Sequence, residues 1–140
     1  MILLDTNVIS EQMRLQPSPI VESWFDKIAD NTIYLSAVTE AELLSGIATM
    51  PNGKAKALRA TKADHILRNI FKDHILPFES KAASFYAEIF AHRKTIGRPI
   101  SVLDCMIVAI AKANGCKLAT RNVADFEEYG VEIVDPWAHV

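Results

Sequence analysis

The chain has few cysteines, few glycines and no long apolar run. Its two cysteines, Cys105 and Cys116, cannot build a disulfide framework, and without neighbouring histidines they cannot close a zinc site. Both lie in or beside an apolar helical stretch, where cysteine packs as a small hydrophobe. No segment approaches the roughly 20 apolar residues of a membrane helix. Nor does the chain open on a basic region followed by an apolar one. A cytoplasmic protein with no membrane contact is the expectation. Positive charge is not in excess either, since 15 Lys and Arg stand against 17 Asp and Glu, a net −2 at pH 7. That excludes a global basic field, so a nucleic-acid substrate would need local basic groups or metal ions. Repeats and low-complexity segments are missing. Half of the 140 residues are hydrophobic, which supplies a core for one domain spanning 1–140.

Strand and helix signals alternate along the chain. Residues 2–5 read as a strand, Pro17-Ser18-Pro19 opens a helix over about 19–30 with Ile20, Trp24 and Ile28 on one face, and Asn31 ends it. Thr32-Ile33-Tyr34-Leu35 is a strand, followed by a helix over about 37–49 and a turn at Pro51-Asn52-Gly53. A longer helix is expected over about 54–73, and Ile75-Leu76-Pro77-Phe78 is a short strand weakened by its proline. Ser80 caps a helix over about 81–96, stopped by Gly97-Arg98-Pro99. Ser101 caps the next, about 102–114, stopped by Asn114-Gly115. Strands at 117–120 and 131–134 complete the pattern, closed by Pro136-Trp137. Such alternation implies a parallel sheet with crossover helices. Residues 103–111 are apolar on every side except at Asp104, which predicts a central, buried helix.

Three acids stand out. Asp5 ends the first strand, and in an open parallel sheet the carboxyl ends of strands line the ligand crevice. Glu42 and Asp104 fall where later helices are expected to begin. Each has a purely structural explanation: Thr39-x-x-Glu42 and Ser101-x-x-Asp104 resemble capping boxes, and Asp5 can cap the turn after its strand. Their coincidence argues otherwise, because a lone buried carboxylate is costly unless paired or bound to metal. Hard oxygen ligands converging at one sheet edge suit Mg²⁺ or Mn²⁺, ions that bind phosphate oxygens and lower the pKa of water for in-line attack. The fourth corner has two readings: in Thr120-Arg121-Asn122-Val123-Ala124-Asp125-Phe126, Asp125 either ligates metal or forms a hydrogen-bonded turn with Asn122.

These segments together resemble a PIN domain, in particular the VapC or FitB-like toxin branch. The opening Met1-Ile-Leu-Leu-Asp5-Thr-Asn7-Val-Ile-Ser10 is similar to that family's first motif, and Ser36-x-x-Thr39-x-x-Glu42-Leu43-x-x-Gly46 to its second. Asp104-x-x-Ile107-x-Ala109-x-Ala111 resembles the third. Leu118-Ala-Thr120-Arg121-Asn122-x-x-Asp125-Phe126 with Asp135-Pro136-Trp137 resembles the C-terminal signature. The resemblance implies an α/β fold of three layers, α/β/α, with a small central parallel sheet flanked by helices. It implies a Mg²⁺- or Mn²⁺-dependent endoribonuclease toxin, often dimeric. Its partner would be a VapB-like antitoxin, with operator DNA bound only through that antitoxin. Carried over, Asp5, Glu42 and Asp104 are metal-ligating carboxylates, Asp125 a fourth catalytic acid, and Thr6, Asn7, Thr120 and Asn122 supporting residues. The family's fourth acid occupies one of two positions, held here by Asn122 and Asp125.

Arg98 and Arg121 are candidate phosphate contacts near the acidic edge. The basic run Lys54, Lys56, Arg59, Lys62, Arg68 and Lys72 reads as a solvated face backed by Ala55, Leu58, Ile66 and Ile70, or as a phosphate-binding strip. In the family such a helical hairpin resembles part of the antitoxin groove, so an apolar stripe between residues 43 and 70 is a candidate partner surface. His65, His74, His92 and His139 fit no metal spacing and read as surface residues. A phosphatase of the haloacid dehalogenase type needs a second acid where Asn7 stands, and a lysine that is not suitably placed. Two rival functions compete with the ribonuclease: a non-catalytic binding module whose acids only cap helices, and a DNA-directed nuclease using the same metal chemistry.

Overall fold

The computed structural model describes residues 1–138. Five short parallel strands form one sheet in the order β3-β2-β1-β4-β5. They are β1 (Ile2–Leu4), β2 (Ile33–Ser36), β3 (Ile75–Leu76), β4 (Lys117–Ala119) and β5 (Ile133–Val134). Seven α-helices connect and cover them: α1 (Thr6–Gln12), α2 (Pro19–Asp26), α3 (Ala37–Ala48), α4 (Lys54–His65), α5 (Ser80–Thr95), α6 (Val102–Ala113) and α7 (Val123–Phe126). The expected three-layer α/β/α arrangement is what the chain adopts.

Strand residues alternate between the two helical layers, as a pleated backbone requires. Leu3, Tyr34, Leu118 and Ile133 face α5 and α6, where Cys105, Ile107, Val108 and Ile110 are buried. Leu4, Leu35 and Ala119 face the opposite layer, made by Val8 and Ile9 of α1, Trp24 of α2, Leu43 of α3 and Ala63 of α4. Each fully buried Leu or Ile contributes roughly 1.5–3 kcal/mol of transfer free energy. Glycines end two of the helices: Gly97 and Gly115 adopt φ of 70° and 65°. Around them Arg98 N bonds to Arg93 O, and Cys116 N to Ala111 O, closing the last carbonyls of α5 and α6. Both cysteines are buried and free, consistent with a packing role.

Several local expectations are corrected. The helix expected over 19–30 ends at Asp26 and buries Val21 and Trp24, leaving Ile20 exposed. Val21 and Trp24, an i, i+3 pair, face the core in place of Ile20, and Ile28, past the helix end, packs on the same cluster as Trp24. A bend and the extended Ala29 stand where the helix's last turn was expected, followed by a 3₁₀ turn at Asp30–Thr32. The helix expected over 54–73 changes at His65 into a π turn over Ile66–Ile70, closed by Phe71 N to Ile66 O at 3.0 Å, which tucks Phe71 into the core. Ser80 is the first residue of α5, not its cap; Glu79 holds that place. The last strand is confined to Ile133–Val134. Pro77 follows β3 at the sheet's edge, where a missing N–H is tolerated. His74 is not a surface residue: its ring stacks on Tyr34 with centroids 4.3 Å apart, and its Nδ1 lies 2.9 Å from Ile33 O. His65 and His92 are exposed, and His139 lies outside the described residues.

Candidate active site

Chain order fixes where the site forms. From β1 the sheet grows outward through β2 and β3, then the chain returns to lay β4 against the other side of β1. The topological switch point is therefore between β1 and β4, and ligands of open α/β sheets bind outside the carboxyl ends of strands at such a point. Asp5 follows β1 there, Thr120 follows β4, and Thr120 Oγ1 donates to Asp5 Oδ2 at 2.7 Å.

Asp5 is 3% exposed. Its other oxygen, Oδ1, accepts the Thr6 N–H at 2.8 Å and so caps α1. Burial pushes its carboxyl pKa above 3.8, the bonds from Thr120 and Thr6 oppose the rise, and the charges of Asp104 and Glu42 add to it. The three acids named by sequence thus share one electrostatic neighbourhood.

Glu42 sits in the second turn of α3, beyond the helix start expected for it. The cap is Ser36, whose Oγ accepts Thr39 N–H at 3.0 Å. The capping reading of Glu42 therefore fails, and its carboxylate turns instead to Thr6, whose hydroxyl donates to Oε1 at 2.7 Å. Asp104 lies in the first turn of α6, capped by Ser101 Oγ, which accepts Asp104 N–H at 3.2 Å. It is half-buried at the mouth of the site, not sunk in the core as the apolar run predicted, because the first turn of α6 emerges from the layer with Val102 and Leu103 exposed. Among the described residues its carboxylate has no hydrogen-bond or ion-pair partner.

Thr120 is the hub of the opposite side. Besides holding Asp5, its Oγ1 accepts Asn122 N–H at 3.1 Å and faces Asn7 Nδ2 at 3.4 Å, while Asn7 Oδ1 faces Arg121 N at 3.4 Å. Thr6, Asn7, Thr120 and the Asn122 backbone are thus brought together with Asp5. Asp125 is not. Its carboxylate lies 3.9 Å from Arg93 Nη2, and its carbonyl accepts from Arg93 Nη1 at 2.6 Å. The cause is Arg93 itself, a guanidinium only 4% exposed that needs acceptors and takes them from the short α7 turn and from Arg98 O. Sequence reading missed Arg93, which sits in α5 with nothing local to mark it. The turn at 122–125 is made by Asp125 N to Asn122 O, not by side chains. Arg98 Nη2 points to Ala124 O at 3.4 Å, and the Arg121 guanidinium stacks 4.8 Å over the Trp137 ring.

The donor chemistry fits a hard divalent cation, because oxygen-only ligands with mutually unfavourable charges are what such an ion relieves. Yet no three His, Cys, Asp or Glu residues form a closed metal-binding group among the described residues. The expected convergence is an electrostatic grouping, not a pre-closed coordination shell. Beside Glu42 and Thr6 opens a cleft of about 440 Å³, bounded by Met13, Ile47, Met50 and Arg59. A second, of about 310 Å³, continues from it through Met13, Ala55 and Arg59 to Leu15, Leu58 and Lys62.

The chain matches the model of the PIN domain family over residues 2–132, and it belongs to that family. Among its relatives, it is 41% identical to Toxin FitB of Neisseria gonorrhoeae over 98% of this chain and 99% of that one. To VapC ribonuclease Y4jK of Sinorhizobium fredii it is 40% identical, over 98% of each chain. The solved structure of FitAB bound to an IR36 DNA fragment contains a chain that superposes with a TM-score of 0.91 at 40% identity, covering 100% of this chain and 97% of that one.

Proposed function

We propose that this chain is a Mg²⁺- or Mn²⁺-dependent endoribonuclease, the toxin of a type II toxin–antitoxin pair, acting as one PIN domain over 1–140 in the cytoplasm. The observation that carries the reading is Asp5: a carboxylate buried at the switch point of the sheet, held by two donors and destabilised by the charges of Glu42 and Asp104. Relatives named as a VapC ribonuclease and as the toxin FitB support it. None of the helices described is long and apolar enough to cross a membrane.

Asp5, Glu42 and Asp104 would hold the ion. A bound divalent cation supplies positive charge to a phosphate oxygen and lowers the pKa of a water molecule. The chain's own residues do the rest. Thr6 and Thr120 each direct a hydroxyl hydrogen at one carboxylate, fixing the face it presents. Arg121 directly follows Thr120, Arg98 reaches Ala124 O of the same segment at 3.4 Å, and the two are the proposed phosphate contacts. Asn122, tied through its backbone to the hydroxyl that holds Asp5, borders the site. Asp125 acts in this reading through Arg93, keeping the 122–126 segment in place, and not as a ligand.

The partner is a VapB-like antitoxin, in line with the solved FitAB complex on DNA, and operator DNA is reached only through it. The continuous cleft from Leu15 and Leu58 to Glu42 is the surface proposed for it, since a helix seated there reaches the acids. The exposed Phe90 of α5, Ile96 just after it, and Val102 and Leu103 of α6 are the proposed dimer face.

Incubating a total-RNA pool with purified, partner-free protein in Mg²⁺, in Mn²⁺ and in EDTA, beside Asp5→Ala, tests the activity. Discrete fragments that need metal and Asp5 are expected. Intact RNA with a well-folded protein in every metal would overturn the reading in favour of a binding module.

A further inference from the structure

Glu42 projects from the second turn of α3, where nothing in the helix itself holds a long carboxylate side chain. It nonetheless has a fixed partner in Thr6 Oγ1 at 2.7 Å. A carboxylate only accepts, and a hydroxyl has one hydrogen to give. Thr6 has given its own to Glu42, so the 3.0 Å contact between the Thr6 and Thr39 hydroxyls is donated by Thr39. Thr39 Oγ1 in turn accepts from Ser36 Oγ at 3.3 Å, while Ser36 Oγ accepts the Thr39 backbone N–H at 3.0 Å. Ser36 and Thr39 are fully buried, so water does not compete for these hydrogens. The donors therefore run one way, from Ser36 through Thr39 and Thr6 to Glu42, rooted in the cap of α3.

We infer that Thr39 is a positioning residue for Glu42: its buried hydroxyl, oriented by Ser36, fixes the rotation of the Thr6 hydroxyl and through it the carboxylate offered to the ion. The inference rests on the metal-dependent reading above. Groups that orient a ligand's own hydrogen bonds typically change metal affinity 10–100-fold when removed. Thr39→Val keeps the shape and removes only the hydroxyl, whereas Thr39→Ser keeps the hydroxyl.

The test is Mn²⁺ titration by calorimetry of the wild type, Thr39→Val and Thr39→Ser, with thermal midpoints alongside. Thr39→Val is expected to bind Mn²⁺ about tenfold more weakly, with Thr39→Ser restoring the affinity. Wild-type affinity in Thr39→Val, even with a lowered midpoint, overturns the inference and makes Thr39 a packing residue only. If the wild type itself binds no Mn²⁺, the metal reading fails, and the crystal structure of Thr39→Val decides the positioning role separately. There the Glu42 carboxylate is expected to leave Thr6, and an unchanged 2.7 Å contact would overturn it.

Discussion

Thr6 and Thr120 each have one hydroxyl hydrogen, and each gives it to a carboxylate at 2.7 Å, Glu42 in one case and Asp5 in the other. Holding acids this way fixes which oxygens they present but leaves three negative charges near one another, and Asp5 bears the cost through burial first and then the charges of Asp104 and Glu42. The sign follows. The unfolded chain releases the Asp5 proton near 3.8, whereas the folded protein keeps it to higher pH. Stability gained from that proton is therefore present at low pH and lost as pH rises from 3.8 through the raised folded value. Asp5→Asn keeps a capping side chain for α1 and removes the charge. In EDTA, urea unfolding of the variant against the wild type is expected to show a stability difference that grows in the variant's favour across that window and then levels. RNA cleavage by the variant is expected to fall by more than about 100-fold. A stability difference independent of pH would show that the Asp5 carboxyl titrates alike in both states. At this scale Asp5, Glu42 and Asp104 were legible from sequence, because acids next to apolar runs are conspicuous. The pairing of Asp125 with Arg93 was not legible, because that guanidinium is buried by α5 packing that no local pattern announces. The Ser36 and Thr39 hydroxyls were visible only as cap and motif residues, since their direction depends on Thr6, 33 positions away from Thr39.

Among the helices, the same substitution has opposite signs at two glycines. Gly115 follows α6 at φ 65°, so a side chain there is strained even though no atom lies within 4 Å of an added Cβ. Gly115→Ala is expected to destabilise by about 1 kcal/mol. Gly46 lies inside α3 with ordinary backbone geometry and equally open space, so Gly46→Ala is expected to stabilise by roughly 0.5–1 kcal/mol. Urea denaturation of both variants checks the pair, and equal signs would contradict the assigned backbone. The elements themselves were readable where a stop signal coincided with a change of pattern, as at Asn114-Gly115 and at Ser36 to Ala37. They were unreadable where tertiary packing chose between equivalent patterns. The seven-residue α1 is too short and too rich in polar and β-branched residues to stand out, and its start is set by Asp5 capping Thr6. The π turn at Ile66–Ile70 exists because it buries Phe71, which is a demand of the core and not of the local sequence.

Across the whole molecule, a net charge of −2 means that RNA must be drawn by local cations, and the acids of the site oppose it until neutralised. Besides Arg98 and Arg121, two such cations are on α4: Arg59 lines both clefts and Lys62 the outer one. Of the apolar residues expected to back this basic run, Ile66 does, whereas Ala55, Leu58 and Ile70 are exposed. Leu58 is 58% exposed and Leu15 of the α1–α2 segment 87% exposed, while Ala63, Ile66 and Leu67 make the contact with the core. A groove with apolar walls and a basic rim matches an amphipathic helix carrying acidic flanks, and such a helix would occupy the cations that RNA needs as well as the approach to Glu42. Inhibition by a partner then follows from occupancy alone. Leu58→Asp separates the two uses of the groove. It alters an exposed side chain, so folding stability should change by no more than about 0.5 kcal/mol. It also puts a carboxylate where an apolar anchor is proposed to seat, so affinity for the cognate antitoxin should fall about tenfold or more. Metal-dependent RNA cleavage without the antitoxin should persist, and the amount of antitoxin needed to suppress it should rise. A Leu58→Asp toxin silenced at the wild-type antitoxin concentration would move the partner surface off α4.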